Sequence, residues 1–129
     1  MSKLASKTPF DIWTIAHLAA GVISYWWTSL IIKSQPSISP SEKTLLIWTC
    51  FMGFLLLHTI WELWETTAHF QNMWRSLPKW INPDRLLWGK IDYKGDHWSN
   101  CLVDTLVFVG GFWIGYALIG VPAGEENEK

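Results

Sequence analysis

Residues 45–65 read LLIWTCFMGFLLLHTIWELWE. Leu45, Leu46, Ile47, Phe51, Phe54, Leu55, Leu56, Leu57 and Ile60 are the residues of a membrane span. At 1.5 Å per residue, about 20 of them cross the hydrocarbon core. Set inside this run are His58, Glu62 and Glu65, with His69 just beyond. They follow one another at steps of four, three and four, which places all four on one face of a helix. An acid on a lipid-facing helix costs several kcal/mol, so such a face turns toward a partner or a wet cavity. The stretch therefore predicts a span that carries a site.

Two further apolar segments flank this one. The first runs from about Phe10 to Ile32, with Pro9 and Asp11 suiting a helix start. The central helix is expected from Ser41 to His69, with Pro40 and Glu42 supporting its start and its length implying tilt or emergence. The third runs from Asp96 to Ile119, and its Gly110, Gly111, Gly115 and Gly120 permit close helix contact. Between the second and third, Gln71–Gly95 interleaves Trp74, Trp80 and Trp88 with Arg75, Lys79, Arg85, Lys90 and Lys94. That mixture suits a segment lying on a membrane surface. Residues 1–121 read as a single helical membrane domain, and 122–129 as an acidic, disordered tail.

Composition agrees. Half of the 129 residues are hydrophobic, and eleven are tryptophan, which favours membrane interfaces. A net charge of −1 gives no case for nucleic acid. Cys50 and Cys101 form no Cys-x-x-Cys pair, which removes the usual thiolate zinc and redox motifs, and they fall toward opposite membrane faces. Lys3 and Lys7 precede an apolar run that is too long for a secretory signal, so a retained span is expected.

Loop charge sets the orientation. With three spans, Lys3, Lys7, Arg75, Lys79, Arg85, Lys90 and Lys94 share one side, and Lys33, Lys43 and Lys129 the other. The positive-inside rule then predicts a cytoplasmic N-terminus. Three polar stripes fall in that same leaflet. Asp11, Thr14 and His17 enter from the start of the first span. His58, Glu62, Glu65 and His69 occupy the end of the second, and Asp96, Asn100 and Asp104 the start of the third.

Carboxylates gathered in low dielectric take up protons unless a cation sits between them. Glu62, Glu65 and Asp104 are thus candidate ligands of a divalent metal, with His17 the candidate proton-transfer residue. Asp11, His58, His69, Asp96 and Asn100 are supporting candidates. A metal at headgroup depth can clamp a phosphodiester, which points to lipid headgroup chemistry. Plainer roles compete. Asp11 and Asp96 also suit helix N-termini, His69 can snorkel to the interface, and His97 or Asn100 can serve as interhelical glue.

At these residues the chain resembles the eukaryotic base-exchange phosphatidylserine synthase family. Ala16-His17 followed by Gly21, then Glu62-Leu63-Trp64-Glu65 with a later His69, then Leu77-Pro78 before Trp80, and His97-Trp98-Ser99 followed by Asp104 and Gly110-Gly111 carry the likeness. Ser99 stands where that family has an Asp, and the family's Asn position falls near Val109. The likeness covers only the catalytic core of those many-helix enzymes. It implies a Ca²⁺-dependent exchange of phospholipid headgroups, with His17 moving the proton and Glu62, Glu65 and Asp104 binding the metal. The Asp-x-x-x-Asn-x-x-x-Asp pattern from Asp96 to Asp104 is also similar, more weakly, to small VanZ-like membrane proteins.

The expectation is an all-α integral membrane protein with three spans and an interfacial segment between the second and third. It would act as a phosphatidylserine synthase-like transferase on phospholipid. The alternative is a non-enzymatic accessory subunit of a larger membrane complex, its acids and histidines pairing with a partner's Arg or Lys. Three helices enclose little interior, so homo-oligomers or larger assemblies fit either reading. A proton path and haem ligation by His17 with His58 or His69 are more remote. The polar residues stop halfway across, which argues against a complete path.

Overall fold

The structure is a computed structural model and describes residues 12–35, 37–78, 80–81 and 98–123, with only the backbone of Ile12 and of residues 98–100. The described chain forms α1 (Ile12–Lys33), α2 (Pro40–Glu65), α3 (Ala68–Ser76) and α4 (Trp98–Ile119), with no strand among those residues. Three of these helices are long and apolar enough to cross a membrane, over Trp13–Lys33, Pro40–Glu65 and Cys101–Ile119. Large apolar side chains cover the outside of the bundle, and several polar ones lie within it. Leu45, Met52, Leu56, Leu57, Leu63, Leu106 and Leu118 point outward, while Thr14, Thr28, Ser29, His58, Glu62 and Asp104 are buried. The chain is an all-α membrane protein.

Helices α1 and α4 run parallel and share the most extensive contact in the bundle. Glycine makes it possible. A Cβ at Gly21 would sit 2.7 Å from the Phe112 amide nitrogen and also overlap the Phe108 carbonyl. One at Gly111 would run into the Leu18 carbonyl, and one at Gly115 would lie 2.9 Å from Tyr25 Cβ. With those side chains absent, backbone approaches backbone, as small-residue seams in membranes allow. Gly53 and Gly110 have open space at the same position and take no part in the seam. Hydroxyls within α1 satisfy themselves locally: Ser24 Oγ donates to the Ala20 carbonyl at 2.8 Å and Thr28 Oγ1 to the Ser24 carbonyl at 2.9 Å.

Helix α2 lies antiparallel to this pair and meets it through side chains. Phe51 packs on Phe112 and Trp113 with centroids 5.0 and 5.2 Å apart, and Trp48 on Trp113 at 5.0 Å. Tyr25, Ile32, Ile47, Phe51 and Phe112 form the buried apolar core. At the far end, where α1 ends and α2 begins, Tyr25 Oη donates to the Gly120 carbonyl at 2.7 Å and Lys43 Nζ to the Pro122 carbonyl at 2.9 Å. Gly120, at φ 75, ends α4 in a left-handed conformation that glycine adopts at little cost. A groove of about 510 Å³ opens there among Lys43, Ile47, Trp48, Trp113 and Tyr116, remote from the ionisable cluster.

Two local starts differ from the sequence reading. Helix α2 is capped by Ser39, one residue before Pro40, and not by Ser41. The Ser39 amide donates to Glu42 Oε2 at 2.6 Å, and the Glu42 amide to Ser39 Oγ at 3.3 Å, a reciprocal capping box. Helix α2 also ends at Glu65 and does not reach His69. Thr67 adopts an extended backbone and accepts from the Phe70 amide at 3.3 Å, restarting the chain as α3. This short helix is amphipathic. Phe70 is buried against Trp64 at 4.8 Å and Trp61 at 5.7 Å, while Trp74 meets Trp13 of α1 at 5.9 Å. The interfacial segment therefore begins as a helix across the ends of α1 and α2. Residues 79 and 82–95 of the expected segment and 124–129 of the tail lie outside the described residues.

Candidate functional site

At the near end of the bundle each long helix contributes to one cluster. Helix α1 supplies His17 five residues after its start, α2 supplies His58 and Glu62 in its last turns, and α4 supplies Asp104 near its beginning. The i,i+4 relation of His58 and Glu62 stacks them on the face that Ile47 and Phe51 turn toward the core.

His17 is the hub. Its Nε2 lies 3.5 Å from Glu62 Oε1 and 3.4 Å from Asp104 Oδ2, and its Nδ1 lies 3.0 Å from His58 Nε2. His58 Nε2 is also 3.4 Å from Glu62 Oε1. Side-chain exposure is 13% for His17, 6% for Glu62 and 2% for Asp104, so the acids are withdrawn from solvent and the imidazole stands at the mouth. The His58 ring stacks on Phe108 at 4.5 Å and 30°, which fixes its plane. Phe108, an apolar residue two turns along α4 from Cys101, carried no sequence signal for this role beyond its aromatic ring.

Two carboxylates and two imidazoles in a low-dielectric interior make a strong site for positive charge. His17, His58 and Glu62 offer ligand atoms that all lie within 4.8 Å of one another, and Asp104 adds a fourth group beside His17. The His17–Glu62 and His58–Glu62 distances of 3.5 and 3.4 Å are close to the edge of a tetrahedron with bonds of about 2.1 Å, the length of a zinc–nitrogen bond. The group of His17, His58 and Glu62 could therefore hold a divalent cation.

The structure brings together three of the four residues singled out for proton transfer and metal binding: His17, Glu62 and Asp104. The fourth, Glu65, is half-buried in the last residue of α2, and its place relative to the other three follows from the helix alone. His58, a supporting candidate in the sequence, stands at the centre of the cluster. His69 is corrected. The helix break at Thr66–Thr67 removes it from the Glu62 face and leaves it exposed on α3. Asp11 and Asp96 lie outside the described residues, as does the side chain of Asn100. Cys50 and Cys101 are half-buried and are not bonded to each other. No protein family, curated protein or solved structure matches this chain, so the functional reading stands on the geometry of the cluster.

Proposed function

We propose that this protein is a divalent-metal-dependent transferase acting on phospholipid headgroups, with its site in the leaflet that receives the N-terminus. The observation that carries the reading is the meeting of His17, His58, Glu62 and Asp104 from three helices at one end of the bundle. The cluster lies inside the spans, about one turn in from their ends: His17 is the fifth residue of the Trp13–Lys33 span and Asp104 the fourth of Cys101–Ile119. The excess of Lys and Arg on the same side supports a cytoplasmic N-terminus and attracts anionic lipid.

The reaction implied is a transesterification. The hydroxyl of an incoming amino alcohol forms a new P–O bond as the bond to the outgoing alcohol breaks. The proton given up by the one is delivered to the other, so nothing is oxidised or reduced. A bound cation would polarise the phosphoryl oxygen and stabilise developing charge. Glu62 and Asp104 neutralise and hold positive charge, the imidazoles orient the cluster, and the proton passes through a basic group at the same site. The aromatic set Trp13, Trp61, Trp64, Phe70 and Trp74 anchors the mouth at the interface.

The test is reconstitution into vesicles of phosphatidylcholine and phosphatidylethanolamine with labelled serine and a divalent cation. Labelled phospholipid and released choline or ethanolamine are expected in equal amounts. Glu62→Gln is expected to lower the rate at least about 100-fold, since the loss of a metal ligand removes several kcal/mol of charge stabilisation. Protein that is folded and metal-loaded but exchanges no headgroup overturns the reading.

A further inference from the structure

The groove of about 510 Å³ between α2 and α4 lies at the end of the bundle opposite the ionisable cluster, and its size falls within the range of small-ligand sites. We propose that it seats one anionic phospholipid of the leaflet at that end, with the lipid phosphate on Lys43 and the upper acyl chain against Trp48 and Trp113. No residue of the groove belongs to the cluster, so this assignment stands apart from the transferase reading.

The groove has a charged end and an apolar wall. Lys43 is the fourth residue of the Pro40–Glu65 span, about one turn in from its end, where a lysine reaches the headgroups. Ile47 and Trp48 lie one turn deeper on the same helix, and Trp113 and Tyr116 line the other side from α4. The Trp48 and Trp113 rings meet at 5.0 Å, and Trp113 meets Tyr116 at 5.6 Å, so the wall is continuous. Trp48 and Tyr116 are 51% and 39% exposed, which leaves that wall open to a chain from the bilayer.

The charge is held in place. Lys43 Nζ donates to the Pro122 carbonyl at 2.9 Å, which ties the first turn of α2 to the end of α4. An ammonium has three N–H donors, so two are left for a phosphate. No acidic residue lines the groove among the described residues. Glu42 precedes Lys43 but is engaged by the Ser39 amide at 2.6 Å, and adjacent helical residues do not face each other. Other occupants match only one end. Residues 124–129, GEENEK, offer Lys43 their glutamates but bring no apolar side chain to the indoles. Free phosphate leaves the wall bare.

The probe is phosphatidylglycerol with a photoactivatable group high in one acyl chain, added in equimolar amount to the full chain in detergent micelles. Labelled residues are mapped by mass spectrometry. Label is expected to concentrate at residues 44–48 and 113–121. Unlabelled phosphatidylglycerol is expected to compete about fivefold better than phosphatidylcholine of the same chains, the worth of one lysine near a membrane surface. Inorganic phosphate at the same concentration is expected not to compete. Lys43→Gln is expected to remove the preference and Lys43→Arg to keep it. Label spread evenly over lipid-facing positions such as Leu56, Leu57 and Leu106, or equal competition by the two lipids, overturns the proposal, and neither result needs a variant to fold. Competition by inorganic phosphate overturns it in favour of a free anion. Carbodiimide coupling of Lys43 to a tail glutamate with the groove unlabelled assigns the groove to the tail. Cross-links between two copies through Trp48 or Tyr116 with no lipid label assign it to a second chain, and either result overturns the proposal.

Discussion

Asp104 is nearly inaccessible, and its Oδ2 lies 3.4 Å from an imidazole. A second carboxylate, that of Glu62, touches the same imidazole from the opposite helix. Two acids on one histidine repel each other in low dielectric, so positive charge placed between them relieves the repulsion. Asp104→Asn keeps the shape and removes one charge. It is expected to stabilise the protein in chelator by about 0.5–2 kcal/mol, the gain seen when a functional site is relieved of strain. Under the proposed function a divalent cation is expected to raise the Tm of the wild type and not that of this variant. Thermal unfolding in detergent, with chelator and with Mn²⁺, checks both halves. A destabilised variant that still responds to the cation contradicts the assignment of Asp104.

At the scale of elements, two contacts decide how the helices stand. The seam of Gly21 and Gly111 has no room for a methyl group, so Gly21→Ala or Gly111→Ala is expected to cost about 1–3 kcal/mol through overpacking. Gly110→Ala, one position along, meets open space and is expected to be neutral or slightly stabilising in the same unfolding assay. The α2–α3 break depends on Thr67, whose hydroxyl caps α3. Thr67→Ala is expected to cost α3 about 1 kcal/mol, read as faster amide exchange across residues 68–76 with the spans unchanged. This break was the least legible part of the chain. Thr66 and Thr67 interrupt the helix by hydrogen bonds back to the Leu63 and Trp64 carbonyls, a local competition that hydrophobic spacing does not register. The helix start was legible in principle. Ser39-Pro40-Ser41-Glu42 carries the capping-box spacing, and only its register separates Ser39 from Ser41.

For the whole molecule, depth was readable and azimuth was not. Hydropathy and loop charge place His17, Glu62 and Asp104 in one layer, because a residue's distance along a span sets its depth in the bilayer. Which way each polar stripe faces depends on how the helices rotate against one another. Phe51 and Ile47 packing toward Phe112 turn α2 so that His58 and Glu62 enter the interior. That rotation raises His58 from a supporting position to the centre of the cluster. Orientation in the membrane has a direct check. In a Cys50→Ser, Cys101→Ser background, an impermeant maleimide is expected to label Ser76→Cys only from the cytoplasmic side and Ser34→Cys only from the opposite side. Labelling of both from one side contradicts the three-span topology.

The two kinds of seam divide the bundle mechanically. The glycine contact between α1 and α4 is backbone on backbone and cannot slide without collision, so these helices form a stiff plate that carries His17 and Asp104. Helix α2 bears on that plate through rings, which tolerate small shear, and it carries Glu62 and His58. The cluster is thus a vice with one fixed jaw and one compliant jaw. Its stroke is set by how far Phe51 can roll on Phe112.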